Sequence, residues 1–385
     1  MKIMFVTPYF GFSGMISDML AGHLAKRGHD IAVVGYLRPS RRNLFSEEKR
    51  RLEEKNIHYY LAKAISISIP NYVTEFPFFL SFKQLVEEVQ PDIIHINCLP
   101  FFTSYQAAEI AKKTRKKSIL QVHGVIAERG LFFNTLQELY SFTFGNLTFH
   151  NVDKVVCLTN GDAERICRYG CPSKKIDIIP NGVDVSEFHP TSHEESGLLL
   201  WCGRFVQQKG LEYLIEALKC IEAKEKPITI KLMMTGDGPL LSKIYQLVKK
   251  NGLSSSVLFM GRVPRKDIPI LMSKSSIYIL PSLNEGMPYT LLEAMACGKT
   301  VIGTNISGIR DIITHGHNGI LVPPRDPEAL ANAILTLSGD KNLRRTLGQN
   351  ARELMTRRYS WDTITARMEK AYEETLAGAR CKTGR

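Results

Sequence analysis

The sequence predicts an α/β protein with two doubly wound domains in tandem. Short runs rich in Val, Ile and Leu alternate with amphipathic stretches along the chain, which is the pattern of parallel strands joined by crossover helices. The length of 385 residues is typical of two domains that each bury a core. A polar segment without periodicity, residues 188–197, interrupts the alternation, and we interpret it as an interdomain linker.

The first half begins with a predicted strand, an amphipathic helix and a second strand. Met15–Arg27 repeats apolar residues at helical spacing, and Gly28 follows it as a helix stop. The predicted strands of this half are Lys2–Thr7, Asp30–Tyr36, Asp92–Asn97, Ser118–His123, Asp153–Thr159 and Ile176–Ile179.

The second half repeats this alternation after the linker. An amphipathic helix is predicted over Leu211–Ala223, directly after the first strand. The predicted strands are Leu198–Cys202, Ile228–Thr235, Ser256–Met260, Ile277–Leu280, Thr300–Gly303 and Gly319–Val322. The chain then predicts helices over Pro327–Leu337, Asn342–Thr356 and Trp361–Leu376.

Glycines follow the predicted strands of both halves. Ligands of doubly wound sheets bind outside the carboxyl ends of the strands, and glycine lets the backbone approach them there. Helix N-terminal amides at the same edge attract phosphate. The sequence therefore predicts a nucleotide site near the glycines Gly11, Gly14, Gly124, Gly203, Gly236, Gly238, Gly261 and Gly286.

The segment Pro281–Gly298, PSLNEGMPYTLLEAMACG, carries two carboxylates around a predicted helix start. Ser282 or Asn284 is expected to cap this helix. At about 1.5 Å rise per residue, Glu285 and Glu293 lie at most about 12 Å apart along the helix axis. The two carboxylates can hydrogen-bond hydroxyls of two sugars that flank a diphosphate. The alternative is one glutamate favoured by the helix dipole and one exposed helical glutamate.

Two cations favour the first of these interpretations. Lys209 stands immediately before the predicted helix that follows the first strand of the second half. A cation at a helix N-terminus is disfavoured by about 0.3–1 kcal/mol unless an anion is bound there. Arg204, just past the same strand, can reach the same point. Two positive charges match a diphosphate.

Several other chemistries lack their motifs. Cys297–Thr300 ends like a phosphate-binding loop, but position 293 is Glu where the first glycine is required. Gly236–Gly238 lacks the third glycine of the dinucleotide fingerprint, which argues against a dehydrogenase. No Asp-x-Asp occurs, and the eight cysteines are scattered without a C-x-x-C pair. We expect neither a metal nor another cofactor, nor a disulfide framework.

The net charge of +12 is compatible with nucleic acid, an anionic membrane surface or phosphorylated substrates. Neither half carries a one-sided basic stripe with interleaved aromatics, so nucleic acid is not expected as a partner. No stretch has the ~18 uncharged apolar residues of a membrane span, and no signal peptide is recognised. The sequence predicts a cytoplasmic protein. A peripheral contact with the inner face of the membrane is compatible with this prediction.

The motifs together resemble a known family. They are G-R-x5-K-G from Gly203, G-D-G-P from Gly236, and E-G-x-P-x-x-L-L-E-A-M-A-C-G from Glu285. The pattern is similar to the retaining glycosyltransferases of family 4, which have the two-domain GT-B fold. Pro180–Asp184 and the post-strand His123 also fit, so the resemblance spans nearly the whole chain.

The resemblance implies a role for each matching residue. Arg204 and Lys209 would grip the donor diphosphate, Glu285 the hydroxyls of the donor sugar, and Glu293 the ribose. His123 would lie near the transferred sugar and the acceptor. The backbones implied in donor binding are those of Gly286, Met287 and Pro288 at the sugar and phosphate, Arg262 and Val263 at the base, and the Gly11–Gly14 loop at the phosphates.

The resemblance also implies an architecture and a reaction. Two Rossmann-like domains would face each other across a cleft: residues 1–187 on the acceptor side, joined by a returning helix over about 361–377, and residues 198–360 on the donor side. A sugar would pass with retention, without a metal, from a nucleotide-sugar to a glycan or lipid-linked acceptor.

Other functions remain open from the sequence. A sugar-nucleotide epimerase shares this architecture, and a non-catalytic nucleotide-sugar-binding protein would keep part of the site. Aromatic residues cluster over 76–82 and 132–149, where core packing is one interpretation. The alternative is an acceptor groove for a lipid-linked sugar, with Arg41, Arg42 or Lys112–Lys117 at anionic headgroups.

Overall fold

The computed structural model describes residues 1–9, 16–37, 49–50, 52–68, 75–124, 131–191, 194–223 and 230–380. The chain divides into two compact units, Met1–Pro180 with Ile364–Arg385, and Asn181–Thr363. We call them unit 1 and unit 2. Gly11, Gly14, Arg41 and Arg42 lie outside the described residues. Among the described helices, none is both long and apolar enough to cross a bilayer.

Unit 1 is built on a parallel sheet with the strand order β3-β2-β1-β6-β7-β8-β9. Its central strands are buried on both faces, which explains their continuous apolar runs. The strands of this unit, with a separate antiparallel hairpin β4-β5, are β1 Lys2–Tyr9, β2 Asp30–Tyr36, β3 Ile57–Leu61, β4 Ala64–Ser68, β5 Glu75–Phe79, β6 Ile93–Asn97, β7 Lys117–Val122, β8 Lys154–Cys157 and β9 Ile176–Ile178.

Strand β3 and the β4-β5 hairpin are absent from the predicted strands. Strand β3 is an edge strand in which Ile57 alone is fully buried, so its sequence IHYYL lacks a continuous apolar run. In the hairpin, Ile65 stands opposite Phe78, and both side chains are exposed. Strand β4, AISIS, does alternate apolar and polar residues, but its Ile65 faces solvent, and β5, EFPFF, contains Pro77, which argues against a strand.

The helices of unit 1 cover the sheet and supply the rest of its core. Phe82, Val86 and Ala107 are among the helical residues buried against the strands. The described helices are α1 Ile16–Lys26, α2 Phe82–Val89, α3 Phe102–Lys113, α4 Leu131–Tyr140, α5 Asn146–Asn151 and α6 Asn160–Arg168, with a π-helical turn Ser141–Gly145 between α4 and α5.

The last helix of the chain, Trp361–Arg380, returns to unit 1 from Ile364 onward. Its Tyr372 hydroxyl lies 2.8 Å from Nδ1 of the buried His95 on β6. Its Glu369 accepts from Arg27 Nε at 2.8 Å. Buried hydrogen bonds and packing of Tyr372 therefore make the C-terminal helix part of the unit 1 core.

Unit 2 contains a second parallel sheet, with the order β12-β11-β10-β13-β14-β15. Its strands are β10 Leu198–Cys202, β11 Lys231–Thr235, β12 Val257–Gly261, β13 Ile277–Leu280, β14 Thr300–Thr304 and β15 Ile320–Val322. Its helices are α7 Leu211–Glu222, α8 Leu241–Lys250, α9 Ile268–Lys274, α10 Tyr289–Ala296, α11 Pro327–Gly339 and α12 Lys341–Leu354. The C-terminal helix Trp361–Arg380 is α13. Helix α12, predicted over Asn342–Thr356, ends at Leu354, and the chain continues as a π-helical turn over Met355–Tyr359.

The division between the units falls at Pro180, before the predicted domain end at 187 and the predicted linker 188–197. The reason is visible in the contacts of the intervening residues. Arg352 donates to the carbonyls of Val185, Phe188 and Ala296 at 2.7 to 3.0 Å. These side chain–backbone bonds attach the segment after Asn181 to helices of unit 2, so it belongs to that unit.

Candidate functional site

A tight turn at the end of β10 presents Lys209 at the start of α7. The turn contains a 3-10 segment, Gln207–Lys209, and Gly210 is the N-cap residue of α7 with a left-handed φ of 59°. A Cβ at Gly210 would lie 2.3 Å from the carbonyl oxygen of Pro281. Both the backbone angle and the space therefore require glycine directly after Lys209.

Lys209 and Glu285 form an ion pair in unit 2. Lys209 Nζ donates to Glu285 Oε1 at 2.5 Å, and Ser282 Oγ donates to the same oxygen at 2.7 Å. The side chains of Lys209 and Glu285 are 14% and 8% exposed. The sequence suggested that Ser282 caps the helix. In the structure, its hydroxyl instead holds the Glu285 carboxylate. The pair places a cation and an anion together at the carboxyl edge of the sheet.

Glycines let the strand ends of unit 2 approach each other around this turn. Gly236 has a φ of +133°, and a Cβ there would lie 1.8 Å from the carbonyl oxygen of Gly203. Gly238 has a φ of +156°, and its Cβ would lie 2.6 Å from the carbonyl oxygen of Phe205. Gly236 and Gly238 are therefore required because the backbone that follows β11 packs directly against the backbone that follows β10, at Gly203 and Phe205.

The loop before α10 contains Gly286, Met287 and Pro288. Pro288 is the N-cap residue of α10 and has no side chain that could cap the helix amides. Asn181 reaches this loop, with its Nδ2 donating to the carbonyl oxygen of Met287 at 3.3 Å. Pro288 directly precedes α10, which begins at Tyr289.

Gly308 supports the same loop and was not singled out from the sequence. Its φ is +84°, and a Cβ would lie 2.1 Å from the carbonyl oxygen of Gly286 and 2.5 Å from that of Glu285. A Ser-Gly pair shortly after a strand is the only local signal, and it indicates a turn more often than a site.

Glu293 lies on α10 and is buried, with 4% of its side chain exposed. Arg265, in the turn that follows β12, donates from NH1 to Glu293 Oε1 at 2.9 Å. Burial raises the pKa of Glu293, and the charge and hydrogen bond of Arg265 lower it. Arg265 was not among the predicted site residues, because nothing in sequence spacing connects position 265 with position 293.

Arg204 and Arg262 are exposed at the strand ends of unit 2. Arg262 Nε lies 3.2 Å from Asp237 Oδ2, with 84% of the arginine side chain exposed, and Val263 next to it is half-buried. Arg204 has no ion-pair partner within the described part of the chain. The structure thus pairs Lys209 with Glu285 and Arg265 with Glu293, while Arg204 remains available to a ligand.

His123 belongs to unit 1, directly after β7, and its neighbours fix its tautomer. Asn97 Nδ2 donates to the carbonyl oxygen of Val6 at 3.3 Å, so Asn97 Oδ1 is the atom that faces His123. His123 Nε2, at 3.3 Å from this Oδ1, must then carry the hydrogen. In the neutral ring, Nδ1 is consequently the acceptor.

His123 is neutral and has one unused acceptor. Burial lowers the pKa of His123 to about 4. Its Nδ1 is buried and has no hydrogen-bond partner among the residues the structure covers. An unpaired buried acceptor costs free energy unless a ligand donates to it. A hydroxyl group is a suitable donor. Among the described residues, no three side chains of His, Cys, Asp or Glu lie together as potential metal ligands.

The two halves of the chain match two family descriptions. The sequence model "Glycosyltransferase Family 4" matches residues 17–187, and "Glycosyl transferases group 1" matches residues 184–354. The uncharacterized glycosyltransferase MJ1178 of Methanocaldococcus jannaschii is 32% identical over 76% of this chain and 78% of its own length. The N-acetyl-alpha-D-glucosaminyl L-malate synthase of Bacillus anthracis is 26% identical over 96% and 95%.

Solved structures show the same architecture. Anabaena Alr3699/HepE, crystallised with UDP and glucose, is 19% identical and superposes with a TM-score of 0.77, covering 97% of this chain and all of the other. Sucrose-phosphate synthase from Thermosynechococcus elongatus gives a TM-score of 0.79 at 20% identity, over 98% and 99%. Together with the sheet topology of both units, these matches place the chain in the group 1 glycosyltransferases with the GT-B fold.

Proposed function

We propose that the protein transfers a sugar, with retention of the anomeric configuration and without a metal, from a nucleotide-sugar to a glycan or lipid-linked acceptor. The observation that carries this proposal is the cluster of Lys209, Glu285 and Ser282 at the carboxyl edge of the unit 2 sheet. A cation there matches a diphosphate, and a fixed carboxylate matches sugar hydroxyls.

In the proposed reaction, the bond between the anomeric carbon and the phosphate oxygen breaks, and its electron pair leaves with the nucleoside diphosphate. The acceptor oxygen bonds to the same carbon from the same face, and its proton passes to the departing phosphate. Lys209 and Arg204 stabilise the charge that develops on that phosphate, which is the contribution usually made by preorganised donors and cations. Glu285 orients the sugar through its hydroxyls.

Metal independence follows in this proposal from the source of positive charge. Lys209 and Arg204 carry two positive charges, which match the two negative charges of the intact diphosphate, so the proposal assigns stabilisation of the leaving group to side chains. The test is turnover in the presence of EDTA. Unchanged turnover supports the proposal, and loss of turnover that Mg²⁺ or Mn²⁺ restores contradicts it.

The class of substrates is proposed from named relatives. The HepE structures contain UDP, UDP-glucose or UDP with glucose, so UDP-sugars are the first donors to test. A relative from Salmonella typhimurium, 26% identical, is named a putative colanic acid biosynthesis glycosyltransferase, which suggests a polysaccharide or glycolipid acceptor. A thermal-shift panel with UDP, GDP, ADP and their sugars identifies the donor, because a ligand that binds only the folded state raises Tm.

A peripheral contact with the membrane is part of the proposal for a lipid-linked acceptor. Ile65 and Leu80 are 60% exposed on the β4-β5 hairpin, and Leu139 and Phe142 are 60% and 56% exposed near the π-helical turn. The lysines between 112 and 117 have protein partners: Lys112 donates to Asn151, Lys113 pairs with Glu109, Lys116 donates to Gln90, and Lys117 pairs with Asp153. Cosedimentation with anionic vesicles, and its loss in Ile65→Ser with Leu80→Ser, tests the contact.

A reaction assay separates this function from its alternatives. Incubation of donor with acceptor extracts should release nucleoside diphosphate in proportion to the glycosylated product. An epimerase would change the donor sugar with no acceptor present, as NMR would show. A binding protein would raise Tm with the donor and never release the nucleoside diphosphate.

A further inference from the structure

The ion pair between Arg265 and Glu293 lies apart from the Lys209–Glu285 pair and has a different construction. Glu293 is almost completely buried, whereas 37% of the Arg265 side chain is exposed. Arg265 reaches from the turn Arg265–Asp267 after β12 to the middle of α10. One charged residue thus extends from the surface to a carboxylate inside unit 2.

Arg265 is itself held by two residues of the segment after Asn181, Phe188 and Glu187. Its guanidinium carbon lies 5.4 Å from the centre of the Phe188 ring, and Glu187 Oε2 lies 4.0 Å from its NH2. Arg352 fixes that segment by donating to the carbonyl oxygen of Phe188 at 2.7 Å. A planar guanidinium over an aromatic ring loses freedom of rotation, so Arg265 has a defined direction toward Glu293.

The other groups that surround Glu293 do not supply a positive charge. Burial raises the pKa of Cys202 and of Cys297 to about 12, and it raises the pKa of Tyr278 and Tyr289 as well, so these groups are neutral. Glu187 is the second carboxylate in this environment, and it raises the pKa of Glu293. Among the described residues, Arg265 is therefore the cation that acts directly on Glu293.

The pair engages one of the two oxygens of the Glu293 carboxylate. Arg265 binds Oε1 of Glu293, and no described protein group donates to the second oxygen, Oε2. The Tyr289 hydroxyl nearby is buried and has no hydrogen-bond partner in the described part of the chain. A ribose carries two adjacent hydroxyls, each a donor and an acceptor, which suits a carboxylate oxygen beside a phenol.

We propose that Arg265 is a positioning residue that holds the Glu293 carboxylate in one orientation, as an anion, for the ribose of the donor. This inference rests on the proposed function, in which Glu293 binds that ribose. An ionised carboxylate accepts a hydroxyl hydrogen in a charge-assisted bond, whereas a protonated carboxyl group is a weaker acceptor. Arg265 itself need not touch the nucleotide.

The test compares binding of UDP to the wild-type protein and to Arg265→Gln by calorimetry between pH 6.5 and 9. Without the guanidinium, the buried carboxyl group takes up a proton more readily, because burial disfavours its charged form. We expect the ratio of variant to wild-type Kd to be smallest at pH 9, where only the loss of orientation weakens binding, and to rise about tenfold toward pH 6.5, where protonation of the carboxylate is added. Taking the ratio removes the titration of the UDP phosphate, which both proteins share.

Two further variants make the result specific. Arg265→Lys should restore most of the affinity at pH 6.5, because it returns the charge without the planar group. Lys266→Gln removes an equal charge from an exposed neighbouring position and should leave the ratio near one at every pH. A ratio for Arg265→Gln that is constant across the pH range contradicts the inference, whether the variant binds normally or weakly.

Failure of the proposed function gives a different pattern. Glu293→Gln should weaken the binding of UDP at all pH values. The wild-type protein should bind 2′-deoxy-UDP more weakly than UDP. If Glu293→Gln binds UDP as the wild type does, the ribose role of Glu293 is wrong, and with it the inference. If neither UDP nor GDP nor ADP binds the wild-type protein, both are overturned. Thermal denaturation of each variant confirms that it is folded before titration.

Discussion

Lys209 Nζ lies 2.5 Å from Glu285 Oε1, although the two residues are 76 positions apart in the chain. Each residue is the counter-charge of the other in a largely buried position. Since a buried charge without a partner is costly, the pair keeps both side chains at the sheet edge before a ligand arrives. In the proposed reaction, the diphosphate takes Lys209 as its partner, and the sugar hydroxyls take Glu285.

Lys209→Ala should lower kcat by about 10²–10³-fold, because it removes a charge that stabilises the leaving diphosphate. The matched control is Lys219→Ala, an exposed lysine on α7, the helix that follows Lys209, and it should leave kcat unchanged. Rates are measured at saturating donor, with Tm recorded because the variant leaves Glu285 without its cation. Normal turnover by a folded Lys209→Ala protein would remove Lys209 from the mechanism.

Gly236→Ala should destabilise unit 2 by about 2 kcal/mol or more, because its Cβ would lie 1.8 Å from a backbone oxygen that cannot easily move. Gly252→Ala is the matched control. Gly252 also has a positive φ, of +77°, but a Cβ there meets no atom within 4 Å. We expect this control to cost about 1 kcal/mol from backbone strain alone. Urea denaturation of both variants measures the difference, and equal losses would contradict the close approach of β10 and β11.

The tautomer of His123 predicts an order for two substitutions. In His123→Asn, the side-chain amide takes the place of Nδ1, whereas in His123→Gln it takes the place of Nε2. Because Nε2 is already occupied by Asn97, the unused Nδ1 is the atom we expect a substrate hydroxyl to contact. His123→Asn should therefore keep a higher kcat/KM than His123→Gln. The reverse order would show that Nε2 makes the functional contact.

His95 should make the protein sensitive to acid. Burial lowers the pKa of His95 from 6.5 to about 3, and repulsion between the protonated rings of His95 and His123 contributes to this shift. Below pH 6.5, His95 is protonated in the unfolded chain but stays neutral in the folded protein. The free energy of unfolding therefore decreases as the pH falls toward 3. The expected loss is up to about 1.4 kcal/mol per pH unit.

Denaturation at a series of pH values tests this slope. His95→Gln should lower the slope between pH 6.5 and 4.5, even if it also lowers the overall stability by disturbing the bonds to Tyr372 and Gln121. His58→Gln, at an exposed position of β3, is the control and should leave the slope as in the wild type. An unchanged slope in His95→Gln would mean that His95 is charged in the folded protein.

The sequence predicted the parallel strands and the helix that carries Glu293, because these have continuous apolar runs or a clear period of 3.6 residues. It could not predict Ser282 as the partner of Glu285, since a serine before a helix reads equally well as a cap. It did not predict β3, an edge strand with one fully buried residue, or the β4-β5 hairpin, in which Ile65 is exposed and Pro77 lies within β5.

Contacts between residues distant in sequence account for the rest of what was missed. Arg265 meets Glu293 because β12 and β13, which precede Arg265 and α10, end at the same edge of a parallel sheet. Spacing along the chain does not reveal which side chains meet there. The same holds for Asn97, which orients His123 from the neighbouring strand β6. Motifs identified the charged residues, and only the fold shows which residues hold them.

The most direct test of the account is the configuration of the sugar that the enzyme releases from an α-linked UDP-sugar. With water as the acceptor, proton NMR recorded early in the reaction distinguishes the anomers of the free sugar before they equilibrate. The account predicts that the wild-type protein first releases the α-anomer, in the presence of EDTA, and that Lys209→Ala releases it about 10²–10³-fold more slowly. Release of the β-anomer first would contradict retention, and an equal rate in Lys209→Ala would contradict the assignment of the site.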